Sequence, residues 1–480
     1  MRYLNYINGQ WKEPITGEYK ENTSPHNGEI LGEFPSSSKE DVQEAVAAAK
    51  EAFLSWKKCS SQTRASYLRK AAAILSENIE EVGRDLALEE GKTLAESIGE
   101  TQRAISILEY YAAEGLQPIG DVIPSANADT LLYTNRVPLG PIALITPWNF
   151  PIAIPVWKLA PALIYGNTIV IKPADLTPKS VYHVMKAFDE AGMPAGVVNC
   201  VFGRGSVVGN ELVENPGIKA ISFTGSNQVG LQIQNQATAN GKKVQLEMGG
   251  KNPLIVLADA DVEKAVSIAI NGAFKSTGQK CTATSRVIVE EGIYEAFRDR
   301  LVERTKELKV GNPLEADSFM GPAVSKNQRD GVLAMIEAGK KEATLLCGGE
   351  MAANEELASG FYVQPTIFEN VSRNARIARE EIFGPVIALF KVKSYEQAID
   401  MANDTEYGLS AAICTNNLTF AHRFADDIEA GIIHVNSETA GAEPQVPFGG
   451  CKASSTGSRE QGKTAIEFYT QVKTVYMDRM

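Results

Sequence analysis

Several common architectures are missing from this chain. Its six cysteines, Cys59, Cys200, Cys281, Cys347, Cys414 and Cys451, are widely separated and show no ligand spacing, which favours a reducing compartment and no structural metal. No charged start followed by an apolar export segment opens the sequence, so a cytoplasmic location is expected. The most apolar stretch, 147–166, is interrupted by four prolines and Lys158, which argues against a membrane span. A formal charge of −12 argues against a broad nucleic-acid surface. There is no Walker ending, no intact GxGxxG, no repeat and no low-complexity block, so an ATPase is disfavoured.

What is present is 480 residues of ordinary hydrophobic content, 44%, enough for two or three domains. Residues 1–36 read as short extended pieces. Ser38 then precedes a long helical pattern whose Asp41 and Glu44 favour its beginning. Further helices follow to about residue 114. From 138 onward, helix and strand alternate through KLAPALIYGNTIVIKPAD, SVYHVMKAFDEAG, GVVNCVFG and IKAISFTGS, the pattern of a doubly wound α/β domain. A second α/β region follows Cys281. The expected division is a cofactor-binding domain over 1–120 and 138–250, a catalytic domain over 251–445, and an oligomerisation element from 121–137 and 461–480. In that element, two extended segments pair into a small projecting sheet used in dimerisation, or the tail folds back on its own subunit.

The chemistry concentrates in turns. Cys281 lies in NGAFKSTGQKCTATSR, among small and polar residues and far from any other cysteine. It is the best nucleophile candidate, with Lys275 and Lys280 placed to lower its pKa if their charges face the sulfur; an inert, partly buried thiol is the alternative. Two glycine loops compete for phosphate, one with Gly203, Gly205 and Gly209, the other with Gly225 and Gly230. The first is nearer the usual fingerprint. Lys172 and Asp175 at a strand end suit ribose hydroxyls, and a carboxylate there opposes a 2′-phosphate; a solvated loop is the alternative.

The ordered motifs TPWNFP, KPAD, FTGS, LEMGGKNP, GQKC, EEIFGPV and PFGG resemble the NAD(P)-dependent aldehyde dehydrogenase superfamily over residues 8–475. The resemblance implies an aldehyde dehydrogenase-like fold of two Rossmann-type α/β domains plus a small β oligomerisation element, assembled as a homodimer or homotetramer. It implies Cys281 as nucleophile, Glu247 as general base, Asn149 as oxyanion donor beside the Cys281 backbone N–H, and Lys158 as an electrostatic modulator near them. Glu381 and Phe383 correspond to the nicotinamide ribose and ring contacts, Lys172 and Asp175 to the adenosine ribose. Ser226 corresponds to the pyrophosphate contact, which overrides the local preference for the first glycine loop. The cofactor set extends to Thr146, Pro147, Trp148, Gly205, Gly209, Phe223, Gly225 and Val229. NAD is expected, with aspartate at position 175 leaving room for NADP.

GDVIPS, GQKCTATSR and SREQG bring the chain nearest to the bacterial 2-oxoglutarate semialdehyde (2,5-dioxovalerate) dehydrogenases. That implies a small aldehyde with a remote carboxylate; succinate semialdehyde or another aliphatic aldehyde is the alternative. Arg103, Lys275, Lys280, Arg286 and Ser437 are the candidate sources for holding the carboxylate, Arg286 matching a structural arginine of the family. Phe150 and Trp157 are candidate walls for the carbon chain. Glu247 separates the sequence from acyl-CoA-forming relatives. No nucleic acid, membrane or metal is expected.

Overall fold

The computed structural model describes residues 1–352 and 356–479; Met480 of the expected oligomerisation segment and residues 353–355 of the expected catalytic domain lie outside them. Two sheets dominate. The first has eight strands in the order Gln10–Lys12, Asn5–Ile7, Val198–Cys200, Thr168–Lys172, Pro141–Ile145, Ala220–Thr224, Lys243–Glu247 and Ser455–Thr456. Its five central strands are parallel. Chain order reverses between Pro141–Ile145 and Ala220–Thr224, a switch point whose carboxyl side forms a natural ligand crevice.

Both faces of this sheet are covered, so the central strands Pro141–Ile145, Thr168–Lys172 and Ala220–Thr224 are buried at every residue rather than at alternate ones. Ile142, Leu144, Ile169 and Ile171 join one apolar body, while Ala143, Ile145 and Val170 join another on the opposite face, as the two-residue period of a strand requires. The first body takes in the helices Ser61–Glu77, Leu94–Glu114, Ala153–Ile164 and Pro178–Glu190. Helix Lys39–Trp56 packs its Val42, Ala45, Val46 and Ala49 into the second, and Asp41 accepts from the Ser38 backbone N–H at 2.8 Å to fix its start.

The second sheet has seven strands, ordered Thr344–Cys347, Thr366–Glu369, Val386–Val392, Thr284–Glu290, Asn252–Val256, Ser410–Cys414 and Ile432–Val435. The chain passes directly from Glu247, at the carboxyl end of a strand in the first sheet, through residues 248–251 to Asn252, which begins a strand of the second. The active faces of the two sheets therefore meet along this connection.

The third sheet is small: Thr470–Asp478 pairs antiparallel with Thr130–Pro138, which pairs with Val122–Ile123. Its strand starts at Thr470 rather than near 461, because Ala465, Phe468 and Tyr469 are buried in the first apolar body. Residues 446–460, outside the expected domains, return to the first sheet through Ser455–Thr456. The apolar stretch at 147–166 contributes a wholly buried helix, Ala153–Ile164, and no helix of the described residues is long and apolar enough to cross a membrane.

Candidate active site

Cys281 follows helix Val262–Phe274 and a short turn, Lys275–Gly278, and precedes strand Thr284–Glu290. Ser276, Thr277 and Gly278 all take positive φ, at 53°, 57° and 67°, a costly run for non-glycine residues. The turn is held by distant groups. Glu96, which caps helix Leu94–Glu114, accepts from the Ser276 backbone N–H at 2.7 Å, and Thr277 Oγ1 donates to the Gly321 carbonyl at 3.1 Å. Asn252 Nδ2 donates to the Cys281 carbonyl at 2.9 Å, pinning the nucleophile loop to the start of the second sheet.

A cavity of about 660 Å³ brings Cys281 together with Pro147, Trp148, Asn149, Gly225, Ser226, Glu381 and Phe383. Asn149 is buried, and its Nδ2 donates to the Gln279 carbonyl at 3.0 Å, leaving the second amide N–H for another acceptor. Trp148 meets Phe383 edge-on with ring centroids 5.3 Å apart. Glu381 accepts from the Gly250 N–H at 2.9 Å. A Cβ at Gly249 would stand 2.4 Å from Glu381 Oε2, so only glycine fits beside this carboxylate. Burial pushes the Glu381 carboxyl up to about 7 against the pull of the Gly250 N–H and of Lys251.

The lysines do not lower the thiol's pKa as the sequence suggested. Burial pushes Cys281 up to about 12, and the Glu381 and Glu247 carboxylates add to the effect. Lys275 is exposed. Lys280 turns its ammonium to the Asn271 carbonyl at 3.2 Å and towards Glu438 at 3.9 Å. Neither lines the cavity.

Glu247 is buried, accepts from Ser455 Oγ at 2.5 Å, and has its pKa raised by burial and by Glu460. Lys158 is also buried, pairing with Glu460 and donating to Ser222 Oγ at 2.8 Å. Glu247, Ser455, Lys158 and Glu460 thus form one polar group; none of them lines the cavity, although the Glu247 charge acts on Cys281. The carbonyl of Asn149 accepts from Lys92 Nζ at 2.6 Å; the same ammonium pairs with Glu100 at 2.6 Å and lies 3.9 Å over the Phe150 ring. Trp157 packs on Phe448 at 5.2 Å, and Phe150 and Cys281 pack against the apolar body that contains both rings. Ser437 is exposed and meets His434, and Arg286 donates to three backbone carbonyls, of Lys251, Met401 and Ala402.

Two further hollows continue from the switch point. One, about 690 Å³, is lined by Ile145, Gly205, Gly209 and Val229. The other, about 370 Å³, is lined by Lys20, Asp175 and Arg204. Lys172 pairs with Asp175 at 3.1 Å between them. Phe223 lies under Gly225. The hydroxyls of Thr146 and Thr224, at the ends of the two strands flanking the switch point, are buried without partners among the described residues. Unpaired hydroxyls, glycine loops and a Lys–Asp pair along one crevice suit an extended dinucleotide.

The chain belongs to the aldehyde dehydrogenase family, whose model matches residues 11–475, and it is an NAD(P)-dependent aldehyde dehydrogenase. Over 477 residues it is 53% identical to the alpha-ketoglutaric semialdehyde dehydrogenase of Bacillus subtilis, covering 99% of this chain and 98% of that one. It is 45% identical over 475 residues to the alpha-ketoglutarate semialdehyde dehydrogenase of Haloferax volcanii, covering 98% of each. The NAD+ complex of aldehyde dehydrogenase from Bacillus cereus superposes with a TM-score of 0.96 at 38% identity, covering 100% of this chain and 97% of that one.

Proposed function

We propose that the enzyme oxidises 2,5-dioxovalerate to 2-oxoglutarate, with Cys281 as nucleophile. The observation that carries the chemistry is the convergence of the Cys281 sulfur, the Asn149 amide and the Glu381 carboxylate on one cavity at the carboxyl ends of the first sheet's strands. The substrate follows from the relatives named for that aldehyde.

Cys281 Sγ adds to the aldehyde carbon. The free N–H of Asn149 Nδ2 and the Cys281 backbone N–H receive the developing oxyanion. When bound, NAD(P)+ supplies the hydride acceptor that turns the thiohemiacetal into a thioester. Glu381, Phe383 and Trp148 would hold the nicotinamide end, Thr146, Pro147, Phe223, Gly225 and Ser226 the pyrophosphate, and Gly205, Gly209, Val229, Lys172 and Asp175 the adenosine end. Glu247 then takes a proton from the water that cleaves the thioester. Burial and Glu460 raise its pKa, which makes its carboxylate a stronger base towards that water. Glu460 raises that carboxyl's pKa and Lys158 lowers it, so the pair tunes its charge.

The small sheet exposes Val122, Leu131 and Met477 on one face and Ile123, Val472 and Tyr476 on the other, apolar surface suited to a second copy of the chain. We assign the enzyme as a homodimer or homotetramer closed through it; size-exclusion chromatography of Val472→Lys shows a smaller species if so, and an unchanged elution volume refutes it.

The substrate is tested with 2,5-dioxovalerate, succinate semialdehyde, glutarate semialdehyde and pentanal, each with NAD+ and NADP+. The highest kcat/KM is expected for 2,5-dioxovalerate, and parity with pentanal would sink the assignment.

A further inference from the structure

We infer that Arg103 and Gln461 anchor the carboxylate at the remote end of the substrate, an inference that rests on the substrate reading above. Gln461 is fully buried and takes φ of 58°. Its Oε1 accepts from Arg103 Nη2 at 3.1 Å. A guanidinium only donates, so this contact fixes which end of the amide faces the arginine. The Nε2 end is left buried with no acceptor.

Arg103 is half-buried and, among the described residues, has no carboxylate within ion-pairing distance. Burial lowers its pKa, while Glu100 and Glu443 pull the other way from further off. Neither acid is a free partner. Glu100 commits one oxygen to Lys92 and the other to the N–H groups of Ile152 and Ala153; Glu443 is exposed and accepts from Gln445. One buried donor without an acceptor among the described residues, Gln461 Nε2, therefore sits beside a guanidinium that has no carboxylate partner. Buried donors left in this state are rare and costly, and a carboxylate supplies an oxygen to each.

The placement fits the chemistry. Gln461 follows Glu460, which pairs with Lys158. Trp157 precedes Lys158 and packs on Phe448, whose backbone pairs with that of Glu460. These rings belong to the apolar body against which Cys281 and Phe150 pack, and in the anchored substrate the aliphatic chain would run along it. Of the other cations considered, Arg286 is occupied by carbonyls, Lys280 by Asn271 and Glu438, and Lys92 by Glu100, while Lys275 is exposed and does not line the cavity.

The test compares glutarate semialdehyde with pentanal, which has the same carbon count without the charge. The quantity read is the ratio of their kcat/KM values within one preparation, from which the active fraction cancels. Wild type is expected to favour the carboxylate. Arg103→Leu lowers the ratio by tenfold to about a hundredfold, the range of a charged hydrogen bond, and does so through KM. Arg103→Lys restores part of it. Gln461→Glu, which hands Arg103 an internal carboxylate, lowers it as well. Glutarate binding followed by calorimetry gives the same comparison without turnover. If wild type favours the carboxylate and both Arg103→Leu and Gln461→Glu keep its ratio, the anchor lies elsewhere and the substrate reading stands. A wild-type ratio near one overturns both.

Discussion

Replacing Glu247 by glutamine separates the two halves of the proposed reaction. The side chain keeps its shape and its contact with Ser455, but it loses the ability to take a proton from water. General-base catalysis supplies roughly 10²- to 10⁴-fold, about 3–5.5 kcal/mol of barrier. If acylation and deacylation run at comparable rates in the native enzyme, slowing deacylation by about a thousandfold leaves nearly all of the enzyme acylated. Rapid mixing with substrate and NAD+ should then give a burst of reduced cofactor close to one per active site, followed by a slow steady state. Intact mass of the quenched protein should show the acyl group, and peptide mapping should place it on Cys281. A native steady-state rate, or a slow rate with neither burst nor adduct, would remove Glu247 from thioester hydrolysis. In the native enzyme burial and Glu460 raise the carboxyl's pKa, so its deprotonated, water-activating form increases as pH rises and deacylation accelerates with it.

Asn149→Ala removes one oxyanion donor and should lower kcat/KM about a hundredfold, roughly 3 kcal/mol; a change under threefold would show that Asn149 serves only its bond to Gln279. With the Cys281 thiol held up to about 12, its thiolate fraction in the cofactor-free protein rises about tenfold per pH unit. Iodoacetamide labelling should therefore climb about a hundredfold from pH 7 to pH 9, and Glu247→Gln should speed labelling at the pH values where Glu247 is ionised, by removing a neighbouring negative charge; a flat profile contradicts the burial argument. Lys92→Met strands the buried Glu100 carboxylate and should cost about 3–5 kcal/mol in denaturant unfolding, with the Lys92→Met/Glu100→Met double variant recovering part of the loss. A loss below about 1 kcal/mol would mean that the pair contributes little.

The α/β alternation was readable because both faces of the first sheet are buried, leaving near-continuous apolar runs such as IALI and TIVI. The residues around the cavity were readable because they follow strand ends in motifs of a few residues. The groups that set those residues in place were not. Glu96 reaches Ser276 across 180 positions and Glu460 reaches Lys158 across 302, and no local pattern carries such a pairing. Nearness in sequence misled in the opposite direction at Lys280. It adjoins the nucleophile, yet the positive-φ turn before it directs its side chain to Asn271 and Glu438. The two glycine loops competed as phosphate sites on spacing alone; in three dimensions they line different hollows of one crevice.

The short strand Ser455–Thr456, with the residues just beyond it, has a consequence for biosynthesis. Cys281 leaves the ribosome long before Ser455, Glu460 and Gln461, so a nascent chain carries the sulfur before it carries the groups that surround Glu247 and Lys158. Such a chain lacks the edge that completes its first sheet. Competence arrives with the last stretch of translation, and a polypeptide stopped short of it carries a thiol that electrophiles can modify, without the assembled means of release.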